Sequence, residues 1–557
     1  MSKTIHVLDY GAGNLVSLLN AIRFLGFEPT VITSPSQLKS ITKLIFPGVG
    51  AFGSAMHFLK ENGYVGPLRE FLKTPGNEYF GICIGMQVLF ESSEESPGVE
   101  GLGVIPGTIG RFRPTNNASV PNIGWSGIAP QQPSCLWQTG EWNNSETRVY
   151  FVHSYRVLQT KANAAWVAAT SSYGGEEYVS AVQREGVLAA QFHPEKSGKV
   201  GLDLLAGFLN KSTNALPGKL QHYGEPPAPI SRRIIACLDV RTNDQGDLVV
   251  TKGDSYDVRE AGESDAKKGK VRNLGKPVEL AKRYFDEGAD EVTFLNITSF
   301  RSEPLEDAPL LQVLEEASKT VFVPLTIGGG IRDYVDVNGK KYSALDVAHR
   351  YFRAGADKIS IGSDAVLAAE QYRLNPSTRT ELSSIEQISQ AYGAQAVVIS
   401  VDPRRVYVDT VEEQQAAKLK GHTVITTKDL RADKGNKPCQ VWYQCTIKGG
   451  REGRDFDVVA LVSACEQMGA GEVLLNSIDC DGQKQGFDLD LINLVCKTTT
   501  LPVIASSGAG SEQHFVDVFN ATRAESALAA GIFHRNEVPL QSVKKVVSAA
   551  GIYVRAE

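Results

Sequence analysis

Short apolar, β-branched runs alternate along the chain with stretches whose apolar positions recur every three or four residues. In the first 213 residues HVLDY, TVIT, KLIFPG, YFGICIG, RVYFVHS and VLAAQFHP predict strands, and 14–25 and 200–209 predict helices. This alternation is the signature of a doubly wound α/β domain. Residues 112–147, rich in Asn, Pro, Ser and Trp, predict a loop-and-hairpin excursion.

The rest of the chain carries eight strand-like runs: RIIACLD (233–239), EVTFLNI (291–297), VFVPLTI (321–327), KISIG (358–362), AVVISVD (396–402), EVLLNSI (472–478), PVIAS (502–506) and SALAAG (526–531). Helical spacing follows several of them, at 277–287, 310–319, 346–354 and 457–467. Eight βα units predict a closed (β/α)8 barrel. GADEVTFLN and PLTIGGG return about 180 residues later as GAGEVLL and PVIASSG, so the barrel reads as two four-strand halves. Long excursions at 254–276 and 404–455 leave strand ends, where barrel active-site loops belong. Between the halves of the chain, STNALPGKLQHYGEPPAPIS holds four prolines and few large apolar residues. The expected division is a domain at 1–213, a linker at 214–231 and a barrel at 232–557.

The chain has 557 residues, 42% hydrophobic and 22% charged, with 57 Lys+Arg against 63 Asp+Glu and a formal charge of −6. That balance excludes a strongly basic nucleic-acid-binding surface. No apolar run is long enough to span a bilayer, and MSKTIHVLDYGAGN enters a strand without a signal-peptide core, so the expected compartment is the cytoplasm and no membrane partner is expected. Eight cysteines form no CxxC pair and no zinc-spaced set. Most read as reduced, buried thiols.

One of the eight, Cys83, lies in YFGICIGMQVLF, where an apolar run ends in Gly-x-Cys-x-Gly and passes into helical spacing. This resembles a nucleophile elbow, with the sulfur at a helix N-terminus that favours thiolate. A buried strand cysteine would share the local string. Gln191-Phe192-His193-Pro194-Glu195 adds a His leaving a strand end, with a carboxylate two residues on that can orient its other ring nitrogen. Pro47-Gly48-Val49-Gly50 follows the strand LIF, and its backbone N–H groups could face a tetrahedral oxyanion. Alone, that string is only a turn signal.

Together GICIGMQ, PGVG and QFHPEKS resemble the class I glutamine amidotransferases over about residues 4–210. The resemblance implies that Cys83 attacks the glutamine carboxamide to form a thioester, that His193 shuttles the proton, that Glu195 orients it, and that Gln87 contacts substrate. The products would be glutamate and ammonia. HVLDYGAGNL and HPEKSG resemble in particular the glutaminase of the imidazole glycerol phosphate synthase family.

In the barrel, Asp239 ends the first strand and Asp402 the fifth. Period-two alternation puts Arg233, Ile235, Cys237 and Asp239 on one face, and Val398, Ser400 and Asp402 likewise. Both aspartates can therefore point across the barrel mouth and divide acid and base roles. Either could equally be an N-cap or an ion-pair partner. Thr326-Ile327-Gly328-Gly329-Gly330 and Ser506-Ser507-Gly508-Ala509-Gly510 end strands three and seven, with Gly362-Ser363 and Ala530-Gly531 after strands four and eight. Glycine-rich strand ends in equivalent halves suggest a substrate with a phosphate at each end. Asp481-Gly482 follows strand six within Asp479-Cys480-Asp481-Gly482, which reads incompletely as a cation site.

RIIACLDVR, VVTKGD, GGGI, GADKISIG, ISVDPRRV, SIDCDG and IASSGAG resemble the cyclase of the imidazole glycerol phosphate synthase family across about 230–557, in its single-chain fungal or plant form. The resemblance implies that Asp239 and Asp402 are the acid–base pair and that Lys252 lies on a loop closing over substrate. The implied reaction takes glutamine and a phosphoribulosyl formimino aminoimidazole carboxamide ribonucleotide to imidazole glycerol phosphate, aminoimidazole carboxamide ribonucleotide and glutamate, in histidine biosynthesis. It involves proton transfer and addition–elimination, so no cofactor and no metal is expected. Partners would be these small molecules alone, with no nucleic acid, and the chain is expected to be a monomer.

Ammonia free in water would protonate and lose nucleophilicity, so delivery through the barrel is expected. Arg233, Glu291, Lys358 and Glu472 open strands one, two, four and six, and two cations with two anions on one ring can pair into a gate or simply brace the barrel bottom. Lys196 and Asp357 match family positions that would pair between domains. Asn296 and Gly362-Ser363 depart from the bacterial cyclase pattern, where Asp and Asn-Thr stand. Two other readings carry less. Another glutaminase–barrel machine forming pyridoxal phosphate would need Schiff-base lysines at strand ends. A non-enzymatic glutamine sensor would have no use for Cys83, His193, Asp239 and Asp402.

Overall fold

The computed structural model describes residues 4–137, 146–210, 227–242, 248–250, 277–296, 308–336, 338–374, 382–431 and 437–556. Lys252, the 254–276 excursion and most of the proline-rich linker lie outside them.

The N-terminal domain is built on one sheet. Its strands are β1 (Thr4–Leu8), β2 (Glu28–Ile32), β3 (Lys43–Phe46), β4 (Glu78–Ile82), β5 (Ala129–Pro130), β6 (Val167–Tyr173), β7 (Glu176–Arg184) and β8 (Val187–Ala190), in the order β2-β1-β3-β4-β8-β7-β6-β5. The first five in that order are parallel, as helix-linked apolar runs require. The last three add an antiparallel edge that the doubly wound expectation did not include. Gly174 and Gly175, both at positive φ, close the β6–β7 hairpin. Within the expected excursion, Asn122–Ser126 pairs antiparallel with Val149–His153.

The C-terminal domain is a barrel of eight parallel strands: β9 (Arg233–Thr242), β10 (Glu291–Asn296), β11 (Leu325–Gly328), β12 (Lys358–Ile361), β13 (Val397–Val401), β14 (Glu472–Asn476), β15 (Val503–Ser506) and β16 (Ser526–Ala529). Pairing of β9 with β16 closes it. The run at 321–327 yields a strand only from Leu325, so residues 321–324 precede the barrel wall. Outward residues such as Ile234, Val292 and Ile399 pack under the helices, whereas Ile235, Cys237, Val398, Leu474, Ile504 and Leu528 form a separate apolar layer inside the barrel. The 404–455 excursion folds as a small antiparallel sheet with one helix, Val411–Leu419.

The linker's described end is pinned. Gly127 N donates to Ala228 O at 2.8 Å, and Ser231 N donates to Trp125 O at 2.9 Å. The glutaminase-like domain packs against the bottom of the barrel through Lys196–Asp357 (2.7 Å) and a two-pronged Arg353–Asp9 pair (2.9 and 3.2 Å). Asn14 donates to both Gly355 O and Asp357 Oδ1, and the Trp125 indole N–H donates to Asp290 O at 3.1 Å. Among the described residues no helix is long and apolar enough to cross a membrane.

Candidate active sites

Cys83 ends β4 and begins the short helix Ile84–Gln87 with φ 51° and ψ −101°, a conformation that costs a non-glycine residue about 1–3 kcal/mol. The elbow is tight because a Cβ on Gly85 would stand 2.0 Å from Phe46 O. Cys83 N donates to Ala190 O at 2.7 Å, which brings the elbow beside the end of β8, from which His193 leaves. His193 Nδ1 and Glu195 Oε1 are 2.8 Å apart, both buried. Burial opposes a charge on His193, but Glu195 and Cys83 outweigh it and push the ring up to about 10. That is the electrostatics of an imidazolium held between a carboxylate and a sulfur.

Gln87 donates to Gln191 Oε1 at 3.0 Å, and Gln191 Nε2 lies 3.4 Å from Cys83 Sγ. Gln191 stood in the QFHPE string without a role assigned to it. Gly48 and Gly50 pack under Tyr10, whose hydroxyl donates to Val49 O at 2.7 Å. Here the Gly48 carbonyl, rather than an N–H, faces the elbow, and it accepts from Ile84 N at 3.4 Å. This differs from the expectation of two donors converging beside the sulfur. Glu95 was not anticipated either. Burial pushes its carboxyl up to about 7, against the pull of a 2.7 Å hydrogen bond from Phe52 N.

At the barrel bottom Arg233 meets Glu291 at 2.8 Å and also meets Glu472, while Lys358 reaches Glu291 at 2.8 Å and Glu472 at 2.6 Å. All four are buried. Burial opposes ionisation of Glu472, and the two cations reverse this and hold its carboxyl below the usual range. Tyr150, on the strand Val149–His153 of the other domain, is buried within electrostatic reach of Glu291, Arg233 and Glu472. Its carbonyl accepts from His193 N at 2.9 Å. Sequence spacing carries no signal for Tyr150, because its partners come from a different domain.

Asp239 and Asp402 sit at the opposite mouth, about 20 Å along the strands from the ring. Burial and then the charge of Asp481 push Asp239 up to about 7. Burial raises Asp402 as well, although Asn476 donates to it at 2.8 Å. Burial and Asp402 push Asp481 up to about 6. Three carboxyls thus share one desolvated mouth, and they cannot all ionise cheaply. Asp479 accepts from Arg405 N at 2.8 Å, and among the described residues no cluster of three or more candidate metal ligands forms, so the incomplete cation reading of the Asp479–Asp481 string gains no further ligands.

A pocket behind Asp481 is lined by Gly482, Ser507, Gly508, Ala530 and Gly531. The equivalent strand ends of the other half carry Gly329 and Gly330, both at positive φ, and Ser363, whose hydroxyl accepts from Lys448 N at 2.8 Å. Lys448 belongs to the 404–455 excursion, which therefore reaches the strand-four end of the mouth.

A model of the class I glutamine amidotransferases matches residues 6–211, and a model described as histidine biosynthesis protein matches 233–539. The chain is 52% identical to the imidazole glycerol phosphate synthase of Emericella nidulans, over 99% of both chains. It is 49% identical to that of Schizosaccharomyces pombe, again over 99% of both. It is also 50% identical to the Arabidopsis thaliana relative, named as chloroplastic, over 99% of this chain and 89% of that one. The chain belongs to the imidazole glycerol phosphate synthase family. It is a bifunctional enzyme that joins a glutamine amidotransferase and a histidine-biosynthesis cyclase in a single chain.

The raised pKa of Asp239 sets the sign of a stability effect. Its folded value, about 7, lies above the unfolded value of 3.8. The cost of burying its charge is therefore absent below pH 3.8, grows through the interval, and is complete above about 7, where it amounts to roughly 4 kcal/mol. Asp239→Asn should melt higher than the parent at pH 8, and the difference should shrink as pH falls toward 4. Thermal unfolding across that range checks it.

Proposed function

We propose that Cys83 attacks the carboxamide of glutamine, that His193 passes the proton to the departing ammonia, that water then cleaves the thioester to release glutamate and free Cys83, and that Glu195 holds the imidazolium. Gln87 and Gln191 frame the sulfur, and Glu95 supplies a carboxylate for the amino-acid end of the substrate. Lowering the barrier at the thioester step requires an N–H where the Gly48 carbonyl now points. Turning the Gly48–Val49 peptide would aim Val49 N–H at the oxyanion and free Ile84 N. Binding in the barrel would thus switch on the glutaminase if it favoured the turned peptide.

Ammonia leaves on the Tyr150 side, passes the Arg233–Glu291–Lys358–Glu472 ring and crosses the apolar layer of Ile235, Cys237, Val398 and Leu474. It is closed out from water, so it arrives unprotonated. At the mouth it condenses with the ketone of the phosphoribulosyl formimino nucleotide. Asp239 and Asp402 move the protons of addition, ring closure and expulsion of aminoimidazole carboxamide ribonucleotide. Gly329, Gly330, Gly362 and Ser363 receive one phosphate, and Asp481, Gly482, Ser507, Gly508, Ala530 and Gly531 surround the other. Lys196 and Asp357 hold the glutaminase in register with the ring.

The observation that carries this reading is the buried charged ring, with a cysteine–histidine–glutamate site on one side of it and paired carboxyls on the other. The test is to incubate the enzyme with glutamine and the formimino nucleotide and to follow products by mass. Imidazole glycerol phosphate and aminoimidazole carboxamide ribonucleotide should appear together with glutamate. Glutamate without either nucleotide product would require a different barrel substrate.

The ring makes its own prediction. Lys358→Met leaves two buried carboxylates with one cation, a change of about 3–5 kcal/mol in stability. The variant should melt lower and release more glutamate than imidazole product. A one-to-one ratio in the variant would show that the ring is only a brace. None of the eight cysteines is in a disulfide, which suits a reducing compartment. We place the enzyme in the cytoplasm as a monomer, to be checked by cell fractionation and light scattering.

A further inference from the structure

Arg535 belongs to none of the motifs that mark the barrel, yet it lines the same pocket as Gly482, Ser507, Gly508, Ala530 and Gly531. Its Nε donates to Glu537 Oε1 at 2.7 Å, and one terminal nitrogen reaches Glu537 Oε2 at 3.3 Å. Lys484 Nζ, also on the pocket wall, meets the same Oε2 at 2.7 Å. Glu537 is thus shared between two cations and holds one edge of the guanidinium. The other terminal nitrogen, Nη1, is buried without a hydrogen-bond partner in the described structure. It lies 2.9 Å from the point where a Cβ on Gly531 would stand. Any side chain at 531 would displace the guanidinium tip, so the glycine at this position serves the arginine as much as the backbone. An N–H donor removed from water and left unpaired is destabilising, and an anionic oxygen would satisfy it.

We propose that Arg535, tethered by Glu537, is the phosphate-recognising side chain at this end of the mouth and makes the pocket selective for a charged phosphate over a neutral group. This rests on the reading that the pocket takes one phosphate of the nucleotide. A planar guanidinium with one edge anchored presents its remaining N–H groups in a fixed direction, which a flexible ammonium does not.

The test uses the full-length enzyme with saturating ammonium salt, so that only the barrel reaction is read, and varies the formimino nucleotide. Inorganic phosphate serves as a competing probe. Arg535→Ala should raise KM about 10- to 100-fold with kcat unchanged, and competitive inhibition by inorganic phosphate should weaken in step. Arg535→Lys should fall between the two. If the alanine variant fails to fold, Arg535→Gln gives the same reading. Ala530→Asp, which places a carboxylate in the pocket and keeps the arginine in the chain, is the control. A parental KM in Arg535→Ala beside a raised KM in Ala530→Asp overturns the role of Arg535 and leaves the pocket reading standing. A parental KM in both overturns the pocket reading and the inference with it. Loss of kcat at constant KM would mark Arg535 as a structural residue and overturn the proposal.

Discussion

Cys83→Ala should lose glutamine-driven imidazole formation by at least about 1,000-fold while keeping synthesis from ammonium salts close to the parental rate. The first half of the expectation follows from the elbow. Cys83 Sγ lies beside Gln191, and it is the nucleophile that His193, oriented by Glu195, meets. Alanine keeps the backbone turn and removes only the sulfur, so the fold and the domain contacts should survive. The second half follows from distance. The cysteine lies beyond the barrel bottom, whereas the paired carboxyls occupy the opposite mouth. Ammonia supplied in bulk can enter from that mouth without visiting Cys83. Parallel assays with glutamine and with ammonium salt read both halves. Loss of both activities together would show that the two sites are not separable.

Asp239→Asn should have the complementary effect. Ring formation should fall by about 100- to 10,000-fold, the usual contribution of a positioned acid or base, with either nitrogen source. Thioester chemistry at Cys83 should persist, read as glutamate release. Asp239 is buried within the field of Asp481, and its carboxyl is pushed up to about 7. At neutral pH it exists in both protonation states, which suits a group that must give and take protons in successive steps. Asparagine has nearly the same shape and cannot titrate. Its higher stability at pH 8, expected above, separates loss of chemistry from loss of fold. Retained ring formation in a well-folded variant would remove Asp239 from the acid–base role.

Much of this was legible in the sequence because it depends on local constraints. GICIG permits a sharp turn, and the close approach of Gly85 to Phe46 is what makes the elbow at Cys83 tight. Strand ends are local too, so eight strand-like runs were enough to indicate the barrel and to put Asp239 and Asp402 on one mouth. What could not be read are contacts between distant segments. Tyr150 faces the ring only because the domains dock, and Arg535 turns toward Gly531 only because Glu537 and Lys484 hold it. The antiparallel edge β5–β7 was missed although Gly174–Gly175 is a hairpin turn signal, because the surrounding run mixes Ser, Thr and Ala with few large apolar residues. Strand β11 is shorter than its apolar run because Val321–Val323 are buried beneath the barrel rather than in its wall, with Phe322 packed against Phe24 of the other domain.

The central claim is that ammonia made at Cys83 reaches the paired carboxyls without entering solvent. The most direct measurement uses glutamine labelled with heavy nitrogen in its amide and an excess of unlabelled ammonium in the buffer. The isotope content of the imidazole glycerol phosphate is then read by mass. Internal delivery predicts that the new ring nitrogen carries the glutamine label almost completely, whatever the buffer ammonium. Label that falls in proportion to the buffer ammonium would contradict passage through the barrel.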